Sequence, residues 1–220
     1  MGLKGQGAGL DRRITAPMRI EVTKDASKPE EVIKSRMSIL SRVARVSTGF
    51  EEALDPPVDS RLRDSVDLRG MTVRQALDTL IALDPRYEWR EVFGVVTMRS
   101  RAAWDDCNHF LNRQVAFERQ ALTTASVSRA LLHLIDPTVP ERPSREPPGP
   151  APKLFSLEVT NGTLLEVFNV AATKGQLFWS ITYGAEESEG RWIELSLESL
   201  DGPRVGWAGS LRPLKGSCTR

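Results

Sequence analysis

The chain has 220 residues, of which 30 are basic and 29 are acidic, so its formal net charge at pH 7 is +1. This balance argues against a nucleic-acid-binding protein, while a hydrophobic content of 40% suffices for small cores. The length suits one large domain or two small ones. The sequence has no run of about 18 apolar residues, and we therefore predict no membrane span.

The N-terminal segment is rich in glycine and in charged residues, and we expect residues 1–16 to form a flexible arm. This segment lacks the apolar stretch of a secretory signal. The sequence therefore predicts a cytoplasmic protein if Met1 is the true start. It predicts a periplasmic or envelope-associated protein if the N-terminus is truncated.

The first predicted elements after the arm are a strand and a helix. Apolar and polar residues alternate over 18–23, which is typical of a half-buried strand. Ser27 and Glu30 have the spacing of a capping box, in which each residue satisfies a free backbone N–H at the start of a helix. We expect Gly49 to cap the C-terminal end of this helix.

A second set of elements completes the first half. A strand over 65–68 precedes another capping box, Thr72–Gln75, and a helix that ends near Leu83. Segments 87–89 and 95–98 read as two strands around a turn that ends at Gly94, which predicts a hairpin. These elements together predict a first module over 17–100.

The second half is predicted to begin with a linking helix over 101–112. A second module follows over 113–200, and the alternation of apolar residues predicts a hairpin near its end. Residues 137–152 hold seven of the 14 prolines, which lack an amide donor, so we predict an extended loop there. Residues 201–220 are predicted to be a disordered tail.

An internal repeat supports the division into two modules. The segment 65–73 (SVDLRGMTV) aligns with 156–164 (SLEVTNGTL) at an offset of 91 residues. After a slip of one residue, 87–89 (YEW) aligns with 177–179 (LFW). Repetition of a strand, a cap, a helix and a tryptophan-bearing strand indicates duplicated folding units. We therefore predict an α+β fold of two tandem βαβ-type modules, each with two helices on a small sheet.

The motifs of the first module resemble those of a known family. They run from MSIL at 37–40 through TGFE at 48–51 and VDLRGMT at 66–72 to YEW at 87–89 and GVVTM at 94–98. This pattern resembles the short N-terminal domain of secretins and TonB-dependent receptors, and the second module resembles it more loosely. The resemblance implies small paired β-α-β layers that serve as periplasmic docking or assembly domains and are not enzymes.

The sequence predicts no catalytic, cofactor-binding or metal-binding residue. Histidine is scarce, since only His109 and His133 are present. Asp105 and His109 share one face of the predicted linking helix, but spacing places no third metal ligand there, and a solvated face is favoured. Cys107 and Cys218 are predicted to be unpaired thiols, with a single disulfide as the alternative.

Three tryptophans are candidate interaction residues: Trp89, Trp104 and Trp179. Core packing is the favoured interpretation for the aligned pair Trp89 and Trp179, and exposed docking aromatics are the alternative. We predict a non-catalytic protein-interaction or assembly module with a protein partner and no cofactor. The alternative is a small-molecule or peptide-binding protein whose cleft lies between the modules, at the linker from Trp104 to Leu111.

Overall fold

The computed structural model describes residues 9–21, 29–55, 64–138, 153–186, 190–201 and 204–209, and over these residues the fold is α+β. The strands are β1 (Arg19–Ile20), β2 (Thr48–Glu51), β3 (Val66–Asp67), β4 (Tyr87–Val92), β5 (Val95–Ser100), β6 (Gln114–Leu122), β7 (Phe155–Thr163), β8 (Leu177–Glu186), β9 (Gly190–Ser199) and β10 (Arg204–Gly209). The α-helices are α1 (Pro29–Ala44), α2 (Val73–Leu83), α3 (Arg101–Asp105), α4 (Thr124–Ile135) and α5 (Leu164–Gly175), and a 3-10 helix covers Phe110–Asn112.

One sheet of six strands joins the two halves of the chain. Its order is β10-β9-β8-β2-β5-β4, and β2 pairs in parallel with both β5 and β8. The other neighbours are antiparallel. The boundary between the predicted modules 17–100 and 113–200 therefore runs through a continuous sheet, at the pairing of β2 with β8.

The two helix pairs cover opposite faces of this sheet. Successive strand residues point to opposite faces, and the hydrophobic clusters divide accordingly. Val96 and Phe178 belong to the cluster that contains α1 and α2. Their neighbours Val95 and Trp179 belong to the cluster that contains α4 and α5. The two helix pairs thus form separate cores on opposite faces of the shared sheet, and each core also takes a strand residue from the other half.

Apart from β2, which has no counterpart between α4 and β7 among the described residues, the order of elements is similar in the two halves. The first half pairs β1 with β3 in a short antiparallel ribbon and β4 with β5 in a hairpin; the second half does the same with β6 and β7 and with β8 and β9. Capping boxes open α2 and α5 at Thr72 and Thr163, at the predicted offset of 91 residues. The side chains of Leu77 and Phe168, which also align, are both buried.

Residues 9–16 are packed against the fold, and the prediction of a flexible arm is wrong for them. Leu10 and Ile14 are buried in the first cluster. The Ile14 amide donates to Met71 O at 2.9 Å, and Arg13 forms a β-bridge with Thr72. Apolar residues within a glycine-rich, charged segment thus suffice to anchor it. Residues 1–8 lie outside the described part of the chain.

Two predicted helix bounds are also wrong. Helix α1 ends at Ala44, and Arg45 follows with a left-handed φ of 52°. Gly49, predicted as the cap, instead lies inside strand β2. The predicted linking helix over 101–112 is broken, because α3 ends after five residues and a separate 3-10 helix follows.

The predicted disordered tail contains a strand, since 204–209 form β10 and pair with β9. This strand carries the sheet beyond the predicted end of the second module. The capping residue Ser27, most of the predicted proline-rich loop (139–152) and residues 210–220 lie outside the described residues.

Candidate functional site

Trp179 lies at the junction between the two halves and is fully buried. Its indole N–H donates to Asn169 Oδ1 at 3.0 Å, and its ring meets Phe168 edge-on with centroids 5.3 Å apart. On the neighbouring strand β2, Gly49 provides the space for the ring. A Cβ atom added at Gly49 would lie 2.2 Å from Trp179 Cε2.

Trp89 repeats this arrangement on β4. Its indole N–H donates to Asp78 Oδ1 at 2.9 Å, and Asp78 precedes Asn169 by the same 91 residues that separate the aligned helices. Unlike Trp179, Trp89 is only half-buried, and the guanidinium of the exposed Arg74 lies 5.4 Å from its ring centroid. The aligned tryptophan is therefore fully buried in the second half and half-buried in the first.

The lower burial of Trp89 arises because β4 is the last strand of the sheet at this end within the described ranges. Arg101 N donates to Arg86 O at 2.9 Å across the β4–β5 pair. Since bonded and non-bonded positions alternate along an antiparallel pair, the backbone N–H and C=O of Trp89 point away from β5. The outer edge of β4 can therefore both donate and accept backbone hydrogen bonds with another strand.

Trp104 lies on the opposite face of β4 from Trp89. Its indole N–H donates to Glu88 O at 3.2 Å. Two guanidinium groups, those of Arg90 and Arg99, lie over the ring at 4.7 and 4.9 Å from its centroid. The structure thus brings two of the three predicted tryptophans together around one strand. We call β4 with Arg74, Trp89, Arg90 and Trp104 the β4 surface.

A buried polar network, which the sequence did not predict, ties β2, β5 and β8 to the linker between the halves. Glu51 on β2 is 1% exposed and forms an ion pair with Arg99 Nε. The other oxygen of its carboxylate accepts a hydrogen bond from Tyr183 Oη at 2.5 Å and lies 2.7 Å from His109 Nε2. Arg99 also donates to Asn112 Oδ1 at 2.9 Å.

The hydrogen bonds fix the tautomer of His109. Its Nδ1 lies 2.9 Å from Arg99 Nη2 and 3.3 Å from the backbone N of Leu111, both of which can only donate. Nδ1 is therefore an acceptor, and Nε2–H donates to Glu51. The prediction of His109 on a solvated helix face with Asp105 is wrong, because His109 caps the 3-10 helix and only Asp105 is exposed.

The network holds a charge that would otherwise be costly to bury. Burial alone would raise the pKa of Glu51, but the Arg99 charge and the hydrogen bonds from His109 and Tyr183 outweigh it and lower the pKa to about 2. Burial and the adjacent Glu51 carboxylate raise the pKa of Tyr183. With its partners in contact and its carboxylate buried, Glu51 is suited to fixing the two halves together rather than to acid–base chemistry.

This network predicts an acid-sensitive contribution to stability. The pKa of Glu51 lies below its ordinary value of 4.5, so its contribution is complete above about pH 4.5 and is lost as the pH falls towards 2. From about pH 5 to pH 2.5, we expect wild type to lose roughly 2 kcal/mol more unfolding free energy than Glu51→Gln. Urea denaturation at both values measures the difference, and equal losses would contradict the assignment.

At the linker, where the sequence predicted a ligand cleft, Trp104 is half-buried and residues 105–108 are exposed. Leu111 is fully buried, as is Arg99 of the network. A shallow groove of about 610 Å³ lies instead on the β6–β7 ribbon, lined by 116–120 and 158–160. Within the described ranges, no group of three or more His, Cys, Asp and Glu side chains is placed to hold a metal ion. No described helix has the length and apolar character needed to cross a membrane.

Cys107 is disulfide-bonded, and the prediction of an unpaired thiol is wrong for it. Cys218 is the other cysteine of the sequence and lies outside the described residues. Cys107 falls between α3 and the 3-10 helix, two residues before His109 of the buried network.

Comparisons with known proteins give no assignment, because no family model, no curated protein and no solved structure matches this chain. The interpretation of the β4 surface therefore depends on the geometry of the chain itself.

Proposed function

We propose that this chain is a non-catalytic protein-docking module that binds a protein partner at the β4 surface. The observation that carries the proposal is the open edge of β4, which Trp89 and Trp104 flank on its two faces while remaining half-buried. An open strand offers main-chain hydrogen bonds to an extended segment of a partner, and flanking side chains supply the specificity.

The composition of the β4 surface suits such a role. Tryptophan and arginine are enriched among the residues that dominate binding energy at protein interfaces, and here each tryptophan ring is stacked by an arginine. Glu88, Arg90 and Glu91 on the strand disfavour indiscriminate pairing with other edges. The β4 surface thus combines an open backbone with charges that restrict the choice of partner.

We further propose that the chain contains two tandem modules that resemble the short N-terminal domain of secretins and TonB-dependent receptors. The support is the order of elements, which is similar in the two halves apart from β2, and the repeated bonds from indole to helix, Trp89 to Asp78 and Trp179 to Asn169. In that family such modules serve docking or assembly, in agreement with an interaction role for β4.

The proposed location is the cell envelope. Disulfides persist in oxidising compartments such as the periplasm and are rare in the cytosol. The disulfide at Cys107 therefore supports an extracytoplasmic location over the cytoplasmic alternative.

Site-specific photocrosslinking in cells tests the docking proposal. A photoreactive residue in place of Glu91, which is exposed on β4, is expected to give a discrete crosslinked product in the envelope fraction. The same residue in place of Glu118, exposed on β6, serves as the matched control and is expected to give none. Trp89→Ala should abolish the product at position 91. Equal products at both positions, or none at position 91, would refute docking at the β4 surface.

A further inference from the structure

We infer that the β4 surface accepts an extended segment that runs parallel to β4 and places a glycine against Trp89. This inference rests on the proposed docking function and specifies the chemistry of the partner. The chain itself carries the template, because the edge of β8 that corresponds to the open edge of β4 is already occupied by β2.

The register of that internal junction sets the position of the glycine. Strand β2 runs parallel to β8, with Thr48 beside Phe178 and Gly49 beside Trp179. Trp179 aligns with Trp89 in the repeat. If a partner segment pairs with β4 in the same register as β2 pairs with β8, the residue that corresponds to Gly49 lies beside Trp89.

In β4 and β8, the aligned residues direct their backbone groups to the same side of the strand. Leu200 N donates to Gln176 O at 3.0 Å across the β8–β9 pair, as Arg101 N does to Arg86 O across β4 and β5. The alternation then directs the backbone groups of Trp179 towards β2. Glu52 N donates to Ile181 O at 2.9 Å, and Ile181, two residues beyond Trp179, thus also directs its backbone towards β2. The outward groups of Trp89 are thus positioned to make the bonds that Trp179 makes.

The requirement for glycine follows from how the indole is held. Trp179 is fixed by Asn169 on α5, and its ring occupies the space that a side chain at Gly49 would need. Trp89 is fixed in the same manner by Asp78 on α2. A Cβ atom on the neighbouring residue of an added strand would meet the indole, so a larger residue there forces the ring out of place.

The residues beside the glycine face the other side of β4. Successive residues of a strand alternate between faces, so the two neighbours of the glycine point to the side that carries Arg90 and Trp104. In β2 these neighbours are Thr48 and Phe50. The preferred partner segment therefore has a glycine between two residues of high strand propensity.

A pair of matched peptides tests this inference on the full chain. The probe is a blocked peptide with the sequence of residues 46–52 (VSTGFEE), and the control is the same peptide with Gly49→Val. Backbone and indole N–H resonances are followed by NMR. We expect the glycine peptide to shift both resonances of Trp89 with a Kd near 1 mM, and the valine peptide to bind at least tenfold more weakly.

Three outcomes would overturn the inference: no shift at about 2 mM peptide, equal binding of both peptides, or shifts confined to residues away from β4. The photocrosslinking experiment at position 91 distinguishes a failure of the glycine inference from a failure of the docking proposal. A crosslinked partner together with equal binding of the two peptides would leave docking at β4 intact and refute the glycine requirement. A glycine-selective peptide without a crosslinked partner would support the inferred geometry and refute docking in the cell.

Discussion

Replacing Arg99 by methionine is expected to destabilise the protein by about 3–5 kcal/mol, since the change leaves the Glu51 carboxylate buried without its counterion. Both side chains are almost fully buried, at 0% and 1% exposure. The loss of the Arg99 bonds to Asn112 and His109 adds to the effect. The free energy of unfolding from urea denaturation measures it.

Arg90→Met is the matched control, because Arg90 also lies over the Trp104 ring but its side chain is 41% exposed. Its cost is expected to stay below about 1 kcal/mol. Adding Glu51→Gln to Arg99→Met removes the unpaired charge, and the double variant is expected to be more stable than Arg99→Met. If Arg99→Met costs no more than Arg90→Met, the buried network does not join the two halves as described.

Gly49→Ala is expected to cost about 3 kcal/mol, at the upper end for overpacking a core. The added Cβ would lie 2.2 Å from Trp179 Cε2, and the buried indole is held by its bond to Asn169. The strand β2 and the ring of Trp179 must therefore separate, which weakens the pairing of β2 with β8. Thermal or urea unfolding of the variant gives the cost.

A second-site change tests the cause of this loss. Trp179→Leu removes the ring that the new methyl group meets, so Gly49→Ala is expected to cost less in that background than in wild type. The coupling measured in this double-mutant cycle reports the contact directly. An equal cost in both backgrounds would show that Gly49 is required for another reason, such as its backbone conformation.

The repeat was visible in the sequence because its signals are local. Each capping box, the one at Thr72 and the one at Thr163, spans only four residues. Alternating apolar residues mark the strands that carry Trp89 and Trp179. Each signal depends on neighbours in the chain, so each could be predicted without knowledge of the fold. The α+β class followed from the same patterns and is confirmed by the structure.

The shared sheet could not be predicted in this way. The pairing of β2 with β8 joins Thr48 to Phe178, which are 130 residues apart, and no local pattern encodes such a partner. Gly49 illustrates the consequence. A glycine after an amphipathic helix predicts a C-terminal cap, whereas this glycine instead makes room for a tryptophan of the other half.

The buried network was missed for a related reason. Glu51, Arg99 and Tyr183 lie on three different strands, and a single charged residue at a strand end is usually exposed. The one available signal was the sequence TGFE, in which an acidic residue directly follows a buried aromatic one. His109 was misplaced because the turn after Asp105 has no proline or glycine to mark the end of the helix.

Amide hydrogen exchange at two aligned residues tests the central claim, that β4 offers the edge which is filled at β8. In the isolated chain, the Trp179 amide is expected to exchange only through large-scale opening, because its backbone faces β2. The Trp89 amide, which faces away from β5, is expected to exchange at least a hundredfold faster. Equal protection of the two amides would show that the β4 edge is covered, and docking by strand addition there would be excluded.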